Sequence, residues 1–268
     1  MNHQVVRTRG GALAMRSLSD GEVMHPGVGP RVEAEQLYVR QSRLDQRLRA
    51  APGPSLVLFD VGLGAGSNAV AARAVSEAIN TPGAARLELV SFERDLGALA
   101  LALAHPADFA LEGAAGVAAG ALLASGRHGS ARTLWRLVTG DLLEGLAVEQ
   151  ARADVIFWDP FSPRANPALW TVAAFAAARR AAGPGATLFT YSASTATRVA
   201  MLLGGWAVGI GDGIGDKAQT TAAAVDARDL QRPLPRSWLR RLERPDVPLP
   251  ADAPADAVAR ARQAPQFA

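Results

Sequence analysis

The sequence predicts an α/β domain of Rossmann-like type, a mainly parallel seven-stranded sheet finished by an antiparallel hairpin. Three observations carry that expectation. Apolar runs of strand length alternate with helix-length stretches between about residues 55 and 205, the order that gives a parallel sheet covered on both faces. Several of those runs end in glycine or an acid, as in "SLVLFDVG", "LELVSFE", "TLWRLVTGD" and "ADVIFWD". The stretch "WAVGIGDGIGDKAQTTAAAV" reads as two short strands around a Gly-rich loop.

Residues 1–50 read as an N-terminal extension and helix. The first thirty, Gly- and Arg-rich with Pro26, Gly27, Gly29 and Pro30, suit an extended or hairpin-like lead-in. Within "VEAEQLYVRQSRLDQRLR", Ala34, Leu37, Leu44 and Leu48 share a helical stripe, and Arg40, Arg43 and Arg47 occupy another face. Such a face is either solvated or a nucleic-acid contact. "APGP", with Pro52, stops the helix.

The domain proper spans 51–225. After the first strand, "SNAVAARAVSEAIN" is a helix starting near Gly66 or Ser67. The second strand, "LELVSFE", precedes a helix from about Asp95 to Ala104, and the Ala/Gly-rich residues 106–131 offer one more. Beyond the third and fourth strands, "PALWTVAAFAAARRAA" is a helix closed by Gly183-Pro184-Gly185, and "ATLFTYS" is the fifth strand. A helix from about Thr195 to Leu203 leads to the hairpin. Residues 226–268 form a Pro/Arg-rich tail in which "PLPRSWLRRLERP" can make a short helix, and the last twenty or so residues are expected to be mobile.

Composition narrows the chemistry. A chain of 268 residues, 49% hydrophobic and 20% charged, can bury a core. The absence of cysteine excludes disulfides, Cys-ligated metals and thiol nucleophiles. His3, His25, His105 and His128 lack metal-ligand spacing, so no metal is expected. With no signal-peptide pattern and no long apolar run, the chain reads as a soluble cytoplasmic protein without a membrane partner. The formal charge is +3, the pI is about 10.1, and Lys217 is the only lysine among arginines. That balance suits a phosphate-bearing partner without requiring one.

The sharpest signal follows the first strand, where Asp60-x-Gly62-x-Gly64-x-Gly66 precedes Ser67 and Asn68. A dinucleotide fingerprint would place its third glycine at 67; the spacing instead suits the glycine loop of class I S-adenosylmethionine (SAM) enzymes. Glu93, ending the second strand, can accept both ribose hydroxyls, and Asp141, after the third, can accept from an adenine amine. Ligands of open parallel sheets sit beyond the carboxyl ends of the strands, where all three acids fall. SAM is therefore the expected cofactor.

The fourth strand runs into "FWDPFSPRANPALW". With "GLGAGSN", "VSFERD" and "TGDLLEGL", this loop resembles the methyltransferase-domain family of the bacterial tRNA 5-methylaminomethyl-2-thiouridine biosynthesis proteins, MnmC. The likeness runs from about Glu33 to "RPLPRSWLRRLERP". It implies N-methylation of the aminomethyl group of 5-aminomethyl(-2-thio)uridine at the tRNA wobble position, with the anticodon loop as partner. It also implies that Asp60, Gly62, Gly64, Gly66, Asn68, Glu93 and Asp141 hold SAM and that Asp159 faces the target amine. Phe161 would cover the methyl site or stack on an extruded base, and Arg164 and Lys217 would meet the substrate. Asn166 and Pro167 fit the start of the next helix, with Trp170 a packing anchor. Only about forty residues follow the hairpin, so the family's second, flavin-dependent domain is not expected.

Two departures stand out: Pro160 replaces the family's glycine, and "GIGDKAQ" replaces a more basic stretch. Other readings stay open on the residues alone: methylation of another amine in nucleic acid or a metabolite, an aminopropyl transfer, or SAM binding without turnover. The isoacceptors, a need for 2-thiolation, the role of residues 106–131 and the oligomeric state are not legible.

Overall fold

The computed structural model describes residues 2–8, 10–25, 28–51 and 53–268. Pro26, Gly27 and Pro52, which figured in the expected lead-in and helix stop, lie outside the described residues. A two-stranded antiparallel hairpin, β1 (His3–Arg7) and β2 (Leu13–Ser17), opens the chain. The main sheet follows: β3 (Ser55–Val61), β4 (Arg86–Glu93), β5 (Arg127–Gly129), β6 (Thr133–Thr139), β7 (Ala153–Trp158), β8 (Ala182–Thr190), β9 (Ala207–Gly211) and β10 (Thr220–Ala224). Its order is β5-β6-β4-β3-β7-β8-β10-β9. From β6 to β8 the neighbours are parallel, and β10 and β9 close that side antiparallel.

These are the seven expected strands plus an eighth, the three-residue edge strand β5, antiparallel to β6. Nothing in "RHG" alternates or is apolar, so its pairing is decided by the neighbour. A second difference lies at β8, which starts at Ala182 and runs through Gly183-Pro184-Gly185 instead of beginning after them. Ala153 pairs with Ala182, and a register shift before Val155 absorbs the irregularity. Sheet pairing here overrides a local turn signal.

Alternation along the strands sorts the core into two layers. Leu56 and Leu58 face one with Leu87, Leu89 and Phe157. Phe59 and Val61 face the other with Val90, Phe92 and Trp158. The first layer is covered by α1 (Pro30–Glu33) and its π-helical continuation Ala34–Arg40, α2 (Leu44–Ala50), α3 (Ser67–Glu77), α4 (Gly97–Leu103) and α5 (Ala114–Ser125). The second carries α6 (Leu142–Val148), α7 (Val172–Ala181), α8 (Thr195–Leu203) and α9 (Ala257–Arg262).

The expected single helix from Val32 to Arg49 is broken at Arg43, whose φ is 53°. Its apolar stripe of Ala34, Leu37, Leu44 and Leu48 is nonetheless buried. Of the expected basic face, Arg40 and Arg43 are exposed, but Arg47 turns inward and donates to Thr187 Oγ1 (2.7 Å) and the Asp154 carbonyl (2.9 Å). The tail expected to be partly mobile is packed on the sheet. Ala257, Ala261, Ala264 and Phe267 are buried in the second layer beside Trp206 and Trp238. Asp252 accepts from the Val172 and Ala173 N–H groups (2.8 and 2.9 Å), satisfying donors that the start of α7 leaves over. No helix among the described residues is long and apolar enough to cross a membrane.

Candidate active site

The parallel order brings the ends of β3, β4, β6 and β7 to one rim, and the acids read from the sequence gather there. Between β3 and α3 the loop turns on Gly62, Gly64 and Gly66, at φ 86°, 52° and 87°. Gly62 is the most constrained. A Cβ there would lie 2.7 Å from the Asp159 carbonyl oxygen and 3.0 Å from Pro160 Cα, so the loops after β3 and β7 pass each other backbone to backbone at this residue. The Gly64 N–H donates to Glu93 Oε2 (3.0 Å).

Glu93 Oε1 accepts from the Arg94 and Asp95 N–H groups (2.8 and 3.1 Å), which fixes its carboxylate at the strand end. Asp141 caps α6, its Oδ1 accepting from Leu143 (2.8 Å) and Glu144 (3.3 Å). Both acids line the same cleft. Asp60 does not line it. Fully buried on β3, it accepts from Ser91 Oγ (2.8 Å), which in turn accepts from Trp135 Nε1 (3.0 Å). Asp60 Oδ1 has no hydrogen-bond partner among the described residues. Burial pushes the Asp60 carboxyl up to about 7, the Ser91 bond opposing it only in part.

Asp159 follows β7, and its N–H donates to the Val61 carbonyl (2.9 Å). Asn68 Nδ2, in the first turn of α3, donates to Asp159 Oδ2 (2.7 Å); Asn68 therefore links the glycine-loop helix to this acid. Burial raises the Asp159 carboxyl, the His25 charge lowers it and the Glu33 charge raises it again, leaving it at about 6. His25 Nε2 lies 3.7 Å from the same Oδ2, and its Nδ1 lies 3.4 Å from Glu33 Oε2. Burial alone would lower the His25 value, but the two flanking carboxylates outweigh it and the net shift is upward. Glu33 moves down, because its bond to His25 and the His25 charge exceed the cost of burial.

The rest of the β7 loop is held from three directions. Trp170 Nε1 donates to the Phe161 carbonyl (2.8 Å), and Trp170 itself is buried, an anchor as its sequence position suggested. Tyr191 donates to the Pro160 carbonyl (3.0 Å), and Glu22 accepts from the Ser162 N–H (2.9 Å) and hydroxyl (2.6 Å). Pro167 starts a 3-10 turn at 167–170, but Asn166 makes no cap bond there. Thr171 is the residue whose side chain caps α7. Phe161 and Lys217 line the cleft, the latter with Nζ 4.6 Å from the Tyr191 ring centre. Arg164 does not. Its side chain is 70% exposed, 3.8 Å from Glu22 and donating to the Asp20 carbonyl (3.3 Å).

Together these residues surround a cleft of about 1160 Å³. That is more than the roughly 300–1,000 Å³ of a pocket for one drug-sized ligand, and leaves room for a nucleoside cofactor and an acceptor together. One wall comes from the N-terminal hairpin and the arm after it, including His3, Arg16, Met24 and His25. The sequence pattern gave no hint of that wall. His25, Glu33, Glu22 and Tyr191 were likewise not legible as site residues, since their convergence depends on how the arm docks.

A glycine loop with no room for a Cβ at Gly62, paired acids at the next two strand ends, and a cleft with space for a nucleoside all fit SAM. Fold and site define a class I SAM-dependent methyltransferase. A sequence model for a family described as S-adenosyl-L-methionine-dependent methyltransferase matches residues 126–226. The tRNA 5-methylaminomethyl-2-thiouridine biosynthesis bifunctional protein MnmC of Ectopseudomonas mendocina (strain ymp) is 33% identical over 238 residues, which cover 84% of this chain and 35% of that protein. The chain is similar to the methyltransferase part of these MnmC proteins, and it spans about a third of the length of the curated relatives it matches.

Among solved structures, MNMC2 from Aquifex aeolicus superposes with a TM-score of 0.72 at 23% identity, covering 97% of this chain and 85% of its own. Spermidine synthase from Thermotoga maritima shares the fold more distantly, with a TM-score of 0.52 at 11% identity over 99% of this chain and 81% of that one.

Proposed function

We propose that the chain methylates the primary amine of a 5-aminomethyl(-2-thio)uridine at the wobble position of tRNA, acting in the cytoplasm. The observation that carries this reading is the placement of Asp159 and Phe161 in the same cleft as the glycine loop and Glu93. The acceptor follows what the MnmC relatives are named for. Gly62, Gly64, Gly66, Glu93 and Asp141 would hold SAM, with Asn68 steadying the loop against Asp159. Asp60, buried at the end of β3 just before the glycine loop, would act through the strand and not by touching SAM. When bound, SAM supplies an electrophilic methyl group on a sulfonium.

An alkyl amine is protonated near neutrality and must lose a proton before its lone pair can attack. Asp159 would accept that proton and hold the remaining N–H bonds in line. Glu22, Glu33 and Asp159 give this end of the cleft an acidic character that suits a cationic amine. Phe161, which lines the cleft, would cover the base. Lys217, lining the cleft over the Tyr191 ring, would meet a backbone phosphate. Arg164, outside the cleft, would serve only an RNA segment passing over the arm.

The test uses purified protein, labelled SAM and bulk tRNA from a strain lacking the modification. Label in the wobble nucleoside that falls by at least about 10²-fold in Asp159→Ala is the expected result. Label confined to small amines, or SAM binding with no transfer, overturns the reading.

A further inference from the structure

The mechanism above leaves one buried group unused. His25 lies between two carboxylates, with Nδ1 3.4 Å from Glu33 and Nε2 3.7 Å from Asp159, and the three side chains are only 13%, 11% and 7% exposed. It reaches that place in a left-handed conformation, φ 50°, which non-glycine residues adopt rarely and at a cost. Two carboxylates at this depth and spacing would repel each other and drive one to protonate. A cation between them removes that conflict.

We propose that His25 is a positioning residue of the methyl-transfer site, an imidazolium that bridges Glu33 and Asp159 and keeps Asp159 ionised with Oδ2 turned from the acceptor. The inference rests on the reading that Asp159 receives the proton of an amine. The contacts of Asn68 and His25 with Asp159 both fall on Oδ2, and the Tyr38 hydroxyl also bears on this carboxylate and helps to lower it; Oδ1 is the oxygen that would face the acceptor.

The charged and titratable groups facing this pair come from five elements. Glu33 belongs to α1 and Tyr38 to its continuation, Asp60 lies on β3, Tyr191 follows β8, and Lys217 sits in the β9–β10 loop. Lys217 opposes the imidazolium, whereas Glu33 and Asp159 favour it and prevail. Tyr38 and Tyr191 are held neutral far into the alkaline range by burial. With His25 charged, the trio of His25, Glu33 and Asp159 carries one net negative charge.

Two measurements test this. The pH profile of kcat/KM for methyl transfer to tRNA carrying the unmethylated aminomethyl group should show its acidic limb displaced upward by about one pH unit in His25→Gln, because an opposite charge this close is worth about that much or more. The variant would therefore lose roughly tenfold on that limb and recover towards wild type at higher pH. An unmoved limb, or an equal loss at every pH, overturns the proposal.

The second measurement needs no substrate and guards against a misfolded variant. With four histidines in the chain, imidazole resonances can be resolved by NMR in the wild-type protein. His25 should titrate above an ordinary histidine and fall back towards it in Glu33→Gln. An imidazole that titrates at or below the ordinary value, does not titrate, or ignores Glu33→Gln overturns the proposal. Should wild-type protein transfer no methyl to tRNA, the wobble-amine reading fails while this titration still decides the role of His25.

Discussion

Replacing Gly62 with alanine should damage the proposed acceptor side of the site more than the cofactor side, although Gly62 belongs to the loop proposed to hold SAM. At φ 86° an L side chain pays about 1–2 kcal/mol in backbone strain. The new Cβ would also stand 2.7 Å from the Asp159 carbonyl oxygen, 2.9 Å from its carbon and 3.0 Å from Pro160 Cα. Those atoms are backbone and cannot rotate away, so overpacking adds roughly 1–3 kcal/mol. A total of about 2–5 kcal/mol corresponds to a fall in Tm of roughly 4–20 °C for a chain of this size. Relief comes only by pushing the β7 loop outward, which carries Asp159 with it, and a displacement near 1 Å can cost about 10²-fold in rate. Gly64→Ala is the control. It too has positive φ, 52°, but its Cβ would meet only Met24 Sδ at 3.2 Å, at the flexible end of a side chain. Calorimetric SAM titration and single-turnover methyl transfer on both variants separate the effects. Comparable losses in kcat for the two, or a Gly62→Ala enzyme that loses SAM affinity and keeps its turnover rate, would refute the reasoning.

Two further outcomes follow from buried and capping groups. Asp60 keeps its proton in the folded chain up to about 7, against 3.8 ordinarily. Its contribution to stability is complete below 3.8 and is lost as pH rises towards 7, at up to about 1.4 kcal/mol per pH unit. Asp60→Asn should flatten that slope and raise Tm relative to wild type at pH 8; a fall in Tm there, or a large drop in SAM affinity, would show that the carboxylate itself is needed. Asp252→Ala removes the acceptor for the Val172 and Ala173 N–H groups, and should cost about 1 kcal/mol, seen as a Tm lower by roughly 2–4 °C.

Most of the sheet was legible because buried parallel strands show themselves as short apolar runs, and "SLVLFDVG" or "ADVIFWD" can be little else. Their order then places Glu93, Asp141 and Asp159 on one rim without further information. What escaped the sequence is tertiary. The edge strand Arg127–Gly129 has no apolar pattern and forms only against β6. Gly183-Pro184-Gly185 has the chemistry of a turn but is drawn into β8. Composition made the tail look mobile, whereas spacing alone, with Ala257 and Ala261 four residues apart, carried the weaker sign that it packs. His25 and Glu33 could not be assigned because the seven intervening positions say nothing about a docked arm.

The Asp252 contact has a consequence for synthesis as well as for stability. The donors it satisfies on α7 are 80 residues earlier in the chain, and Phe267, which closes the same core layer, comes later still. At about 5–20 residues per second, the helix behind the acceptor loop waits roughly 4–16 s for its carboxylate. During that interval Trp206 and the second layer lack their cover, so a nascent chain stalled before residue 250 exposes apolar surface that the finished protein hides. The residues around Asp252 and Phe267, made well after the helix they support, are thus the ones that fix α7 behind the Asp159 loop.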